Sequence, residues 1–138
     1  MAIVEWDEAL ATGVEIVDTQ HRELFRVINS FHDKIGSEED SFALAVVLDS
    51  LKNYVTYHFA TEEKLLERSG CPDLAQHQGA HAAFAAVVSH FDTARDAADR
   101  AELYKLQTFL VGWLVNHVKH EDLRLKEYFL AGSSRAAT

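Results

Sequence analysis

The sequence is poor in residues that interrupt helices or cross-link a chain. Its 138 residues include one proline, six glycines and one cysteine. So few prolines and glycines favour long helices over a succession of short strands and turns. A lone cysteine, Cys71, cannot form an internal disulfide, so packing or a metal must stabilise the fold. A chain without disulfides suits a reducing compartment, and we expect a cytoplasmic protein.

Positive charge and long apolar runs are also scarce. There are 13 basic and 22 acidic residues, a formal net charge of -9. Without a basic patch, this balance repels nucleic acid and anionic lipid, and the acidic surface favours a monomer. No segment approaches the roughly 20 apolar residues of a membrane-spanning helix. The first ten residues carry Glu5, Asp7 and Glu8 where a secretory signal needs basic residues and an apolar run, so we expect no export signal.

Apolar residues are plentiful and regularly spaced. They make up 48% of the chain, enough for one core, which predicts a single domain over residues 1–138. In four segments apolar or histidine residues recur at alternating steps of three and four, as on one buried helical face. We expect an arm at 1–18 and helices at about 19–36, 41–68, 72–92 and 97–130. Such helices, joined by short connections, predict an all-α, up-down-up-down antiparallel four-helix bundle.

Residues with capping chemistry stand near several of these boundaries. Asp18 is placed to cap the first helix, and Gly36 to end it. Asp96 and Asp99 are both candidates to cap the fourth helix, so its start is open by a few residues.

Each predicted helix places a histidine or a carboxylate where its apolar stripe calls for leucine. A buried polar group is costly unless a partner satisfies it. A single histidine of this kind is usually a core residue hydrogen-bonded to a neighbour. Several of them would each need a separate partner in a small core, whereas one shared metal site satisfies all together. The residues concerned are His21, His58, Glu62, His77, His81 and His117.

The positions of these residues favour the metal site further. In an up-down bundle the start of one helix is level with the end of the next, which brings all six residues to one end. The pairs His58/Glu62 and His77/His81 are each separated by four, which stacks both members on one helical face.

On the fourth helix, spacing does not decide which residue is the second metal ligand. After His117, helical periodicity alone selects His120 or Glu121. Asp122 stands five positions on, and at roughly 100° per residue its side chain points about 140° away from His117. A role for Asp122 therefore requires a local unwinding or a π-type bulge.

Four motifs together resemble the bacterial hemerythrins, from Trp6 to the last helix. They are Asp18-Thr-Gln-His21, His58-Phe-Ala-Thr-Glu62, His77-x-x-x-His81, and Trp113-Leu-Val-Asn-His117 followed five residues on by Asp122. The resemblance implies two iron ions, Fe2+ or Fe3+, with a bridging oxo or hydroxo group. It implies that His77, His81 and His117 bind one iron, that His21 and His58 bind the other, and that Glu62 and Asp122 bridge both. It thereby selects Asp122 over Glu121.

The function that this resemblance implies is reversible dioxygen binding for carriage, storage or delivery, and not an enzymatic reaction. Counting donors for two six-coordinate ions leaves one position open, on the iron with two histidines, where dioxygen can take one electron from each iron. Reversibility requires an apolar pocket that excludes water. Phe59, Leu114 and Val115 are candidates for its wall, although core packing explains each equally well. For Trp113 core packing is the favoured interpretation.

Two other functions use a similar site. Di-iron oxidases, ferroxidases and peroxidases in helical bundles favour four carboxylates and two histidines, commonly in Glu-x-x-His repeats. No such repeat occurs in this sequence. A sensor of oxygen or nitric oxide would report to a partner, and the sequence carries no signalling domain, coiled-coil linker or membrane segment. We therefore expect a carrier or store whose ligand is dioxygen.

Overall fold

The computed structural model describes residues 2–136, and their side chains as far as residue 134. The helices are α1 (Glu15–Lys34), α2 (Asp40–Arg68), α3 (Leu74–Thr93), α4 (Arg100–Leu114) and α5 (Lys126–Ala136). Short 3-10 turns occur at Glu8–Leu10 and Arg95–Ala97, and a π-helical segment, Val115–Asp122, joins α4 to α5. Residues 2–136 contain no strand. The predicted all-α four-helix bundle is confirmed, with α4, the π segment and α5 forming its fourth rod.

The core has two apolar layers. The larger layer includes Phe31, Leu48, Phe84 and Leu110, and the smaller one includes Val17, Leu66, Leu125 and Phe129. Along α1 the buried histidine at position 21 falls between Val17 of the small layer and Leu24 of the large one. On α2 and along the fourth rod, the buried polar residues likewise fall between residues of the large layer and residues of the small layer. The buried polar side chains therefore have apolar packing on both sides.

The start of α1 differs from the prediction. The helix begins at Glu15, so Asp18 lies inside its first turn and is 4% exposed. Its carboxylate accepts hydrogen bonds from Thr12 N and Thr12 Oγ1, both at 2.8 Å, and from Gly13 N at 3.2 Å. Gly13 has φ of +85°, a conformation that suits glycine. The prediction that Asp18 caps the helix is wrong, because its carboxylate instead fixes the chain that leads into it.

The arm before α1 is held to the bundle by side chains. Asn29 Oδ1 accepts hydrogen bonds from Ile3 N and Val4 N at 2.9 and 3.0 Å, and Asn29 Nδ2 donates to Val4 O at 2.8 Å. The Trp6 ring packs edge-on against Phe25, with 5.6 Å between centroids. Asn29 and Phe25 both belong to α1, so the arm covers one flank of that helix.

The other boundaries lie within three residues of those predicted, except that the last helix continues to Ala136 and not to about 130. Gly36, with φ of +90°, follows the end of α1. Asp99, not Asp96, caps α4, since its side chain accepts from Glu102 N at 3.0 Å. The helix therefore begins at Arg100, three residues later than expected. Among the described residues, none of the helices combines the length and apolarity needed to cross a bilayer.

The crossing of α5 and α2 depends on a glycine. Gly132 is buried, and a Cβ atom built on it would overlap the backbone carbonyl of Leu65. Because backbone cannot move aside cheaply, we expect Gly132→Ala to lower the free energy of unfolding by about 3 kcal/mol or more. Gly112→Ala is the control, since nothing lies within 4 Å of its Cβ position. Chemical denaturation measures both, and equal stability of the two variants would contradict this close crossing.

Candidate metal centre

The bundle brings all seven predicted ligands together. Helix α1 supplies His21, α2 supplies His58 and Glu62, α3 supplies His77 and His81, and the π segment supplies His117 and Asp122. None of the seven is more than 3% exposed. Their ligand atoms form two overlapping groups, and within each group the atoms lie within 4.8 Å of one another. The groups share Glu62 and His117.

Glu62 lies at the centre of the cluster, and its two oxygens divide the five histidines. Glu62 Oε2 is 2.9 Å from His21 Nε2 and 2.7 Å from His58 Nε2. Glu62 Oε1 faces the Nε2 atoms of the other three, at 2.9, 3.1 and 3.2 Å for His77, His81 and His117 respectively. Each oxygen therefore belongs to one set of imidazoles, two on one side and three on the other.

Asp122 touches both sets. Its Oδ2 lies 2.8 Å from His21 Nε2 and 3.1 Å from His117 Nε2, and its Oδ1 lies 3.4 Å from His77 Nε2. A carboxylate that contacts both sets of imidazoles, as Asp122 and Glu62 do, has the reach to join two metal ions.

The π segment explains how Asp122 reaches the cluster. In a regular α-helix an offset of five would turn Asp122 away from His117, but in the segment Val115–Asp122 both side chains are buried. The alternatives lie outside: His120 is exposed, and Glu121 pairs with Arg124 at 3.0 Å. The local unwinding required for Asp122 is thus present in the structure.

Several buried polar atoms of the cluster lack hydrogen-bond partners. They include the Nε2 atoms of His58 and His117 and both side-chain oxygens of Asp122. These atoms lie within 3.4 Å of opposing groups, but not in the geometry of a hydrogen bond. Five imidazole nitrogens and two carboxylates, all aimed at a common centre, are a donor set that transition metals such as iron or zinc prefer. The residues present therefore fit a pair of metal ions.

Burial and the two carboxylates shift the pKa values of several of these side chains. Burial alone would lower the pKa of His21, but the negative charges of Asp122 and Glu62 outweigh it and raise that pKa to about 10. Burial lowers the pKa of His58 to about 3, against the attraction of Glu62. Burial and the charge of Glu62 raise the pKa of Asp122. The raised pKa of His21 favours its protonated form, and metal binding would release that proton because only neutral imidazole is a ligand.

Sequence reasoning missed the residues that orient the ligands from outside. His58 Nδ1 lies 2.7 Å from Gln20 Oε1, so the ring donates to a neutral amide. His81 Nδ1 lies 2.9 Å from Glu63 Oε2 and donates to a carboxylate. These contacts fix each ring with Nε2 toward the centre. Both partners adjoin predicted ligands in sequence, but only the packing of neighbouring helices reveals the contacts.

The residues predicted to line the oxygen pocket differ in burial and in their contacts. Phe59 is buried and stacks on His81, with 3.8 Å between ring centroids and 1° between planes. Leu114 is 1% exposed and faces a cavity of about 460 Å³ beneath the arm. Val115 lines the same cavity but is 44% exposed, and its role in a ligand pocket stays a prediction. Trp113 stacks on His117 at 4.3 Å.

The fold and the site together define a four-helix-bundle protein with a buried histidine-carboxylate centre suited to two metal ions. Residues 12–129 match the family model described as the hemerythrin HHE cation binding domain. The chain belongs to the hemerythrin family.

Individual relatives agree with that assignment. The chain is 32% identical over 126 residues to a bacteriohemerythrin of Stenotrophomonas maltophilia, and 33% identical over 126 residues to one of Pseudomonas aeruginosa. Each match covers 88% of this chain and 78% of the relative. A solved structure of wild-type hemerythrin is similar with a TM-score of 0.76 and 26% identity, over 93% of this chain and 98% of that one.

The contact between His81 and Glu63 generates a test of the site. We expect Glu63→Gln to weaken binding of the metal about 10- to 100-fold, because His81 loses its carboxylate partner. Glu67→Gln, an exposed change one turn further along α2, is the matched control. Competition with a chelator for Fe2+ measures the affinity. Equal affinities in the two variants would show that Glu63 does not support a ligand.

Proposed function

We propose that this centre holds two iron ions and binds dioxygen reversibly, for carriage, storage or delivery. The observation that carries the proposal is the division of five imidazoles over the two oxygens of Glu62, two on one side and three on the other. That division coincides with the two iron positions that the hemerythrin motifs imply. Membership of the family supports iron as the metal.

Each residue has a defined role in this proposal. His77, His81 and His117 would hold one iron, His21 and His58 would hold the other, and Glu62 and Asp122 would join them. When bound, the iron pair supplies the two electrons that dioxygen takes up and returns. The side with two histidines has fewer protein donors, and this is where an external ligand has room to bind.

The surroundings of the cluster suit reversible binding. The larger apolar layer, with Leu114 and Phe59, packs on one side of the ligands. The smaller layer, with Val17, Leu66 and Phe129, closes the other side. With each ligand side chain at most 3% exposed, contact with bulk water is small, which limits irreversible oxidation of a bound metal.

The ligand chemistry favours binding over oxidase chemistry. Bundle oxidases of the ferritin type draw on four carboxylates and two histidines, whereas this cluster has two carboxylates and five histidines. Neutral imidazoles leave the metal pair with more positive charge than carboxylates would. A more positive pair holds its electrons more tightly, which suits a protein that must recover both electrons when dioxygen leaves.

Visible absorption and iron content test this function. On protein reduced without air, we expect two irons per chain, a colourless form, colour on exposure to oxygen, and return to the colourless form on removal of oxygen. His77→Ala should lose iron, whereas His90→Ala, an exposed change at the far end of α3, should not. Irreversible oxidation to the diferric state, with hydrogen peroxide released or a reductant consumed, would contradict carriage and favour an oxidase or a sensor.

A further inference from the structure

One polar group beside the cluster has no partner. Tyr54 lies one helical turn before His58 on α2, and its ring stacks on the His58 imidazole with 4.4 Å between centroids and 25° between planes. Its hydroxyl oxygen is buried and makes no hydrogen bond to any described residue. A buried hydroxyl without a partner costs free energy that a phenylalanine of the same shape would avoid. Any hydrogen-bond partner of this hydroxyl therefore comes from outside the described residues.

The chemistry of this hydroxyl allows it to act as a donor. A tyrosine phenol is protonated at neutral pH and can donate its O–H as well as accept a hydrogen bond. No described acceptor lies within hydrogen-bonding distance, so the O–H remains available to a ligand.

The position of Tyr54 selects one side of the cluster. Its ring packs on His58, and the His58 ring is 4.6 Å from that of His21. These are the two histidines that share Glu62 Oε2. Tyr54 thus adjoins the half of the centre with fewer protein donors.

A route from the surface reaches the same place. A cavity of about 260 Å³ between α1 and α2 has Tyr54 and His58 in its wall. Its wall combines apolar side chains with polar ones, which include Glu23, Ser50 and Asn53. A small hydrophilic ligand can enter through such a cavity, which an entirely apolar channel would disfavour.

We propose that the Tyr54 hydroxyl donates a hydrogen bond to a small, negatively charged ligand held on the His21/His58 side of the centre. The inference rests on the proposed function only in requiring a metal at that side, and it holds whether or not dioxygen binding is reversible. Tyr54 is then a residue that selects ligands able to accept a hydrogen bond. The Tyr54 hydroxyl adds one hydrogen-bond donor to a pocket that the sequence predicts to be apolar.

Azide, a small anion that accepts hydrogen bonds, is the probe. Iron content is measured first, and then azide is titrated into the oxidised iron-loaded protein by visible absorption. We expect Tyr54→Phe to weaken azide binding about tenfold or more, because a hydrogen bond to a charged acceptor is lost. Tyr57→Phe is the control, since that side chain is 68% exposed on the same helix. The infrared stretch of bound azide should shift between H2O and D2O in the wild type and in Tyr57→Phe, but not in Tyr54→Phe.

A measurement on the metal-free protein separates this role from a structural one. If the hydroxyl has no partner in the protein, Tyr54→Phe without metal should melt at the same temperature as the wild type or higher. A lower melting temperature would reveal a protein partner and overturn the proposal. Equal azide affinity in wild type and Tyr54→Phe, or an equal isotope shift, would overturn it as well. Failure of the wild type to bind iron would overturn the proposed function too, so the iron measurement distinguishes the two failures.

Discussion

The burial of Glu62 among five imidazoles is the constraint on which the rest of the structure depends. A carboxylate with no exposure to solvent is tolerated only where cations or hydrogen-bond donors surround it. Here the donors come from every rod of the bundle, so the helices cannot slide past one another without leaving a buried charge unpaired. The same residue thus fixes the register of the bundle and divides the histidines into two sets.

Apolar packing makes this polar centre durable. The large layer supplies most of the hydrophobic stabilisation, and the small layer closes the end of the bundle beyond the ligands. The close contact of Gly132 with Leu65 lets α5 lie against α2 and complete that closure. The π segment departs from regular helical hydrogen bonding, and this departure turns both His117 and Asp122 inward.

Local spacing predicted much of this from the sequence. The alternation of three and four indicated the helices, and the separations of four indicated the histidine and glutamate pairs. Asp122 required the family resemblance, since regular helical periodicity favoured its neighbours and does not anticipate a π segment. Asp18 was misread because its partners, Thr12 and Gly13, belong to a turn before the helix. The roles of Gln20 and Glu63 depend on contacts between helices, which spacing along one helix does not show. Tyr54 could have been found, because it stands four residues before His58 on the same face.

The most direct test of the central claim is anomalous scattering at the iron absorption edge, from crystals of the iron-loaded protein. The account predicts two peaks roughly 3.5–4 Å apart. One peak should lie beside His77 and His81, the other beside His21 and His58, with Glu62 and Asp122 between them. A single peak, or peaks on only one side of Glu62, would contradict a paired metal centre and the function built on it.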